Sequence, residues 1–360
     1  MAPGMRSTNG QAVNHEPNTG DEVLPPLAQT PLSALPAAPP RRIAFFAKRH
    51  RYTKATRQYI RAFRQNGYQV FWFHWAKIRG LLGSRIGRAY VRRKLHRISP
   101  DMVLFYKLDA PMSTLEDTPG GVPLVMFYED LFAECDPEVL DAARRCSTVF
   151  TTARGDVAAF RDAGVKDARY IRTGCDDKEH YPVSASPRFE SDVAFIGRGW
   201  LRNRRELITS RIDLIRAIAD KFDLQLYGKG WEQALGREPG KREVYVRHYR
   251  SICSSSKIVI GIDKSDDIDL YFSNRTWLTL GCGGFLLTRH VPNLEEYFTN
   301  HHHLVWFHSK EECLELIDHY LSREEERRAI AAAGHDYVHT YHTTRHFAAE
   351  IGEAVLGESR

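Results

Sequence analysis

Four arginines, Arg198, Arg202, Arg204 and Arg205, crowd the turn between an apolar run ending at Ile196 and the helical pattern that begins near Asn203. A guanidinium is permanently charged, and its forked donors match phosphate oxygens; a helix N-terminus adds unpaired N–H groups and partial positive charge. Such a cluster can neutralise a departing diphosphate without a metal, the plain alternative being a solvated surface patch. Arg275 repeats the theme. It follows Ser273 and Asn274, both good N-cap types, and precedes a short apolar helix with Trp277, Leu278 and Leu280 that Gly281, Gly283 and Gly284 end. Its fork in the first helical turn makes phosphate a natural guest.

Gly197-Arg198-Gly199 follows a strand pattern and precedes a helix, as a dinucleotide fingerprint would. The third glycine is absent, with an arginine where close packing wants Gly or Ala, which argues against a nicotinamide. Tyr227-Gly228-Lys229-Gly230-Trp231 follows the next strand pattern. Its glycines allow backbone to approach a ligand and its aromatics could cover a base, with turn-and-core packing equally compatible. Asp266-Asp267-Ile268-Asp269 reads as a solvated loop rather than a metal site. His335, His339, His342 and His346 fall at helical spacing, but Tyr341-His342-Thr343-Thr344 looks like a helix break, which argues against one metal-binding face.

A second group of candidates sits where apolar runs stop. Runs at residues 42–47, 69–74, 102–106, 124–128 and 148–152 alternate with helical patterns, the signature of a parallel sheet whose ligands gather beyond the strands' C-terminal ends. His50 follows the first run, Lys107 and Asp109 the third, Glu129 and Asp130 the fourth. His50, Glu129 and Asp130 are therefore general-base candidates by rim position alone. A fresh alternation starts at Asp192, with strands at 192–197, 224–227, 257–262 and 285–288 and helices at 203–221, 247–255 and 292–298.

The chain of 360 residues is long enough for two such domains, and 42% hydrophobic content is ordinary for a globular protein. Residues 1–40 carry repeated prolines without periodicity and read as a disordered tail. No apolar run is long enough to span a membrane and the N-terminus lacks a signal-peptide pattern, so the expected location is the cytosol. Six scattered cysteines fit reduced thiols rather than a disulfide framework. The net charge of +6 permits an anionic substrate without demanding nucleic acid. One segment, 77–97, holds eight Lys and Arg and no acidic residue; it reads as a solvated helix face, or as a surface that meets the membrane periphery through anionic lipid, or an acidic acceptor.

Arg275, Trp277, Cys282-Gly283-Gly284-Phe285-Leu286-Leu287-Thr288, Leu294 and Phe298 resemble the C-terminal signature of the group 1 glycosyltransferases, most closely the spore-maturation-protein-like (CgeB-like) branch. The likeness extends upstream to Asp192-Val193-Ala194-Phe195-Ile196-Gly197 and Tyr227-Gly228, and downstream to Arg345. It implies a GT-B architecture: α/β, two Rossmann-like domains facing each other across a cleft. The boundaries expected are 41–182 for an N-terminal acceptor domain, 188–335 for a nucleotide-sugar domain, and 336–360 for a helical segment that packs back on the first. Thr173-Gly174-Cys175-Asp176 through Pro182 is similar to the family's interdomain hinge, and the Pro and Ser residues of 182–187 suit a linker.

The resemblance implies sugar transfer from a nucleotide-sugar donor to an acceptor that the sequence does not identify, with no cofactor and no metal. Gly197, Arg198, Arg205, Tyr227, Gly228, Ser273, Asn274, Arg275, Gly283 and Gly284 are the implied donor-binding residues. Many relatives carry two glutamates with seven residues between them, the second on the donor ribose; counted onto this chain these positions are Leu270 and Leu278. Glu295 or Glu296 is then the substitute ribose ligand. An epimerase of the same architecture is one alternative; a catalytically inert nucleotide-sugar-binding protein, which those leucines keep open, is the other.

Overall fold

The computed structural model describes residues 41–49, 55–199, 205–235 and 248–357. The first domain alternates β1 (Arg42–Phe46), α1 (Ala55–Gln65), β2 (Gln69–Phe73), α2 (Trp75–Ile98), β3 (Met102–Tyr106), α3 (Ser113–Asp117), β4 (Leu124–Tyr128), α4 (Pro137–Arg145), β5 (Thr148–Thr151), α5 (Asp156–Asp162) and β6 (Ala168–Tyr170). Every pairing is parallel, in the order β2-β1-β3-β4-β5-β6. Parallel strands need crossover helices on both faces, so the strands are apolar on both faces. Phe45 enters the core under α1, while its neighbour Phe46 stacks on Phe73 and Phe105 on the other face. Each such ring contributes roughly 2–3 kcal/mol by leaving water.

The second domain continues with β7 (Ser191–Ile196), α6 (Arg205–Lys221), β8 (Leu224–Tyr227), α7 (Trp231–Leu235), α8 (Tyr249–Ser255), β9 (Ser256–Gly261), α9 (Arg275–Gly281), β10 (Leu286–Arg289), β11 (Val305–Phe307), α10 (Lys310–Leu321), α11 (Glu324–Tyr341) and α12 (Thr344–Leu356). Its sheet is also parallel, ordered β11-β10-β9-β7-β8. Counted within each domain, both sheets place the second strand outside the first and the third on the first's other side. Each therefore has a switch point between its first and third strands, β1/β3 and β7/β9, where a crevice opens.

The chain crosses between domains twice, side by side. Gly174 (φ +78) leads into Cys175, whose N–H donates to His342 O at 2.8 Å, while Thr344 N–H donates back to Cys175 O at 2.7 Å. A Cβ on Gly174 would strike the His342 carbonyl, so glycine is required there. α11 runs unbroken past residue 335 and ends at Tyr341; a capping box between Thr343 and His346 then starts α12. α12 lies on the first sheet, with Phe347 against Tyr59 and Phe127 at ring-centroid distances of 4.9 and 4.8 Å. The break at His342 separates the four spaced histidines. His342 is buried beside Trp277, and His346 is committed to its cap.

Two short strands, β6 and β11, escape the sequence reading, and residues 294–296 form a single 3-10 turn where a helix over 292–298 is expected. The tail of residues 1–40 lies outside the described residues. No helix among the described residues is long and apolar enough to cross a membrane.

Candidate active site

A cavity of about 360 Å³ opens between the C-terminal ends of the two sheets. Its second-domain wall begins at the switch point of that sheet. After β7 the chain turns through Gly197 and Arg198, and Gly197 and Gly199 donate to Tyr227 O and Lys229 O at 2.8 and 2.9 Å. Two loops are zipped together here. A Cβ on Gly228 (φ +147) would collide with Gly197 O, and one on Gly199 would come within 2.7 Å of Gly230 O. The glycines of 228–230 therefore serve loop-on-loop packing, and Gly228 does not line the cavity. Tyr227, expected beside the base, is wholly buried in a cluster with Phe189 and Tyr249 and does not line it either.

Arg275 lines the cavity, but its fork is already engaged within the wall. Nη2 donates to Ile262 O at 2.8 Å and to Asp263 Oδ1 at 3.1 Å, Nη1 to Ile196 O at 3.3 Å, and Nε to Ser273 Oγ at 3.0 Å. It bridges the ends of β7 and β9, lying 5.5 Å over the Phe195 ring. The fork expected to be open to a phosphate is thus already engaged: Arg275 is a partly buried tie whose charge, more than its full set of donors, reaches the cavity. Gly197 has no room for a Cβ because Arg275 Nη1 would lie 2.5 Å from it.

Arg211, only 3% exposed, rises from α6 to the same spot and donates to Ile262 O at 3.2 Å and Asp263 O at 2.9 Å. Burial, with Arg275 adjacent, lowers its pKa to about 10. Two guanidiniums thus stand beside one carboxylate, Asp263, which Arg275 alone contacts directly, Arg211 being bonded to the backbone carbonyl. With Arg198, Arg250 and Lys264 also lining the space, the second-domain wall carries a surplus of positive charge.

The first-domain wall is anionic. Glu129 follows β4 and accepts from the Tyr106 hydroxyl and from Asn274 Nδ2 at 3.3 Å. Burial, reinforced by the Glu129 charge, pushes the Tyr59 and Tyr106 phenols well above their usual range. Asp130 meets Lys107 Nζ at 2.5 Å and Lys264 Nζ at 3.4 Å. Burial raises the Asp130 pKa, but the two ammoniums outweigh it and hold the carboxyl below its ordinary value. Lys107 sits at φ +57, a backbone that residues other than glycine seldom adopt, at the point where β3 leaves the sheet. At the hinge His180 closes the floor; its Nδ1 accepts from Asp176 N–H at 2.9 Å, and burial drives its pKa down to about 4, leaving the ring neutral.

Glu129, Asp130, Gly197, Arg198, Ser273, Asn274 and Arg275 are thus brought together around one space. Ser273 and Asn274 do not cap α9, however. Asn274 is in the α conformation with no capping bond, because its side chain crosses to Glu129 and Thr173. Gly283 and Gly284 are not at the cavity: Gly283 (φ +69) turns against Pro182 of the linker, and Gly284 packs on Thr279 and Cys253. Glu295 pairs with His290, and Glu296 with Arg154 at 2.7 Å, so neither faces the cavity. His50, Arg202 and Arg204 lie outside the described residues, and of Arg205 only the backbone, opening α6, is described.

The Asp266–Asp269 loop is a fastening rather than a free solvated loop. Asp266 binds Arg289 at 2.6 Å, and Asp269 binds Arg154 of the first domain at 2.6 Å. Leu270 (φ +47) is fully buried, whereas Leu278 lines the cavity as an apolar surface. Arg211 and Lys264 are the residues sequence reasoning missed. Both left a signal: Arg211 stands on the apolar stripe of α6 with Leu214, Ile215 and Ile218, and Lys264 follows a strand end as Glu129 does.

A family model described as "Glycosyl transferase-like" matches residues 204–353. No curated protein matches the chain in sequence. Among solved structures, sucrose-phosphate synthase from Thermosynechococcus elongatus is 14% identical, with 88% of this chain and 98% of that one covered and a TM-score of 0.59. The Anabaena protein HepE (Alr3699), in complex with UDP and glucose, is 13% identical over 88% of this chain and 100% of its own, with a TM-score of 0.58. A glycosyltransferase from Rickettsia africae ESF-5 is 9% identical over 89% and 100%, with a TM-score of 0.61. The fold is GT-B: two parallel-sheet, Rossmann-like α/β domains.

Proposed function

We propose that the chain is a glycosyltransferase that moves a sugar from a nucleoside-diphosphate sugar to an acceptor held against the first domain, without a metal ion. The observation that carries this is the convergence of Arg198, Arg211, Lys264 and Arg275 on the β7/β9 switch point, where a diphosphate leaving group gathers charge as its bond to the sugar breaks. Similarity to the glycosyl transferase-like model and to a solved relative holding UDP and glucose supports the donor class. The wider group 1 architecture supports the assignment, with the spore-maturation-protein-like branch as the nearest pattern.

Arg198 is the direct phosphate ligand in this reading, since its guanidinium has no ion-pair partner among the described residues. Arg211 and Arg275 supply fixed charge behind it. Leu278 gives the ribose an apolar face in place of a carboxylate. Of the rim carboxylates, Asp130 is held by two lysines and is a poor base. Glu129 is placed to face positive charge developing on the sugar, or to take the acceptor's proton if the reaction inverts.

Calorimetric titration with UDP tests the reading. Arg198→Ala should weaken binding about ten- to hundredfold, the worth of one charge-assisted contact of about 1.5–3 kcal/mol. Wild-type affinity should persist in EDTA. Equal affinity in wild type and Arg198→Ala would remove the phosphate site, and loss of binding in EDTA would overturn metal independence. Binding of UDP-sugars with no turnover against any acceptor would instead favour an inert binding protein.

A further inference from the structure

Exposed large apolar side chains are few among the described residues, and four of the six, Leu81, Leu82, Ile86 and Tyr90, stand on α2. Leu81 is 74% and Ile86 63% exposed. A helix on a sheet ordinarily turns such residues inward, and the second half of α2 does so with Val91, Leu95 and Ile98. Gly83 (φ 71, ψ 169) breaks the helix, and the residues around that break leave the buried stripe. Lys77, Arg79, Arg85, Arg88 and Arg93 are exposed around them, and the helix contains no Asp or Glu. Arg92 reaches Asp117 at 3.8 Å; the other α2 cations have no ion pair among the described residues.

We propose that α2 docks on an anionic lipid bilayer. The apolar side chains enter below the headgroups while the flanking cations meet lipid phosphates, a pairing that one surface offers at one depth. An acidic peptide or glycan would satisfy the cations and leave the leucines in water. A second copy of the chain packed α2 on α2 would bring two unneutralised basic helices together. Charge complementarity with exposed apolar area therefore selects the bilayer. α2 starts at the C-terminal end of β2, the edge of the sheet from which Glu129 and Asp130 face the cavity, so the bilayer would lie beside the first-domain wall. This inference does not rest on sugar transfer.

Co-sedimentation of the full chain with vesicles tests it, comparing phosphatidylglycerol-containing with pure phosphatidylcholine vesicles. The chain should bind the former at low salt and not the latter. The double variants Leu81→Ser/Ile86→Ser and Arg85→Glu/Arg88→Glu should each reduce partitioning about tenfold or more. Their thermal melts should match wild type, because the altered side chains are exposed. No sedimentation with anionic vesicles overturns the proposal. So does binding that Leu81→Ser/Ile86→Ser leaves unchanged, which would identify a generic polyanion surface, and so does a dimer in analytical ultracentrifugation that the same variant dissolves while vesicle binding is absent.

Discussion

The two sheets share a strand order, and each buries an aspartate just beyond its third strand, Asp109 after β3 and Asp263 after β9. Their surroundings differ. Asp263 lies against Arg275 at 3.1 Å, with Arg211 on its backbone carbonyl. Asp109 is 3% exposed, its Oδ2 has no hydrogen-bond partner among the described residues, and His74 stands 4.0 Å away. Burial, only partly offset by Lys48, pushes the Asp109 pKa up to about 6. One topological position thus yields two electrostatic outcomes. The second crevice carries more cation than its carboxylate can neutralise and is suited to an anion, whereas the first holds a carboxylate whose charge burial opposes.

Removing the guanidinium is the strongest way to break this contrast. Arg275→Ala should destabilise the fold by about 3 kcal/mol, because it leaves the buried Asp263 carboxylate without its ion-pair partner and takes one of two guanidinium donors from Ile262 O. Arg198→Ala should leave the denaturant midpoint unchanged. Equal midpoints in both variants would show that Arg275 is not the tie its contacts describe.

The first crevice should respond with the opposite sign. Asp109→Asn removes a charge that burial disfavours, so stability at pH 7 to 8 should rise by about 1–2 kcal/mol. The folded-state pKa of about 6 lies above the unfolded value of 3.8. The folded wild type therefore takes up a proton first, and its deficit should shrink as pH falls from about 6 to 4. Thermal melts across that range check this; a constant difference would mean that Asp109 is not ionised when buried.

The smallest effect concerns what holds the two halves together. Arg154 is about one-third exposed, and its links to Asp269 and Glu296 are screened by solvent. Arg154→Ala should cost about 1 kcal/mol or less, and the difference should fade at high salt. A salt-independent loss would show that the packing of Gly155 against Ile268, rather than charge, is the main fastening.

Much of the scaffold was legible because parallel strands buried on both faces leave an unbroken apolar record, as in Met102–Tyr106, where all five residues are buried. β6 and β11 left little trace: each is three residues long, and Ala168-Arg169-Tyr170 has a single buried member. In the site, residues after strand ends were the readable ones, since topology alone puts them on the rim. Glycines were not. The same residue serves a phosphate cradle and a crowded turn, and only the neighbours, Pro182 at Gly283 or the Gly197 carbonyl at Gly228, distinguish them. Asn274 misled for a similar reason: capping and bridging use the same amide, and a partner far away in sequence, Glu129, decided between them.

The paired crossings at Cys175 and Thr343 carry a mechanical consequence. One covalent strand between two bodies leaves swing, twist and slide open, but two strands bonded to each other at a single level remove most of those degrees of freedom. What remains easy is rotation about the line through the crossings. α12, fixed to the first sheet through Phe347 and Ile351, would travel with that domain as a counterweight on the far side of the pivot. Opening the cavity walls about that line would first have to break the Arg154–Asp269 and Lys264–Asp130 links that span them.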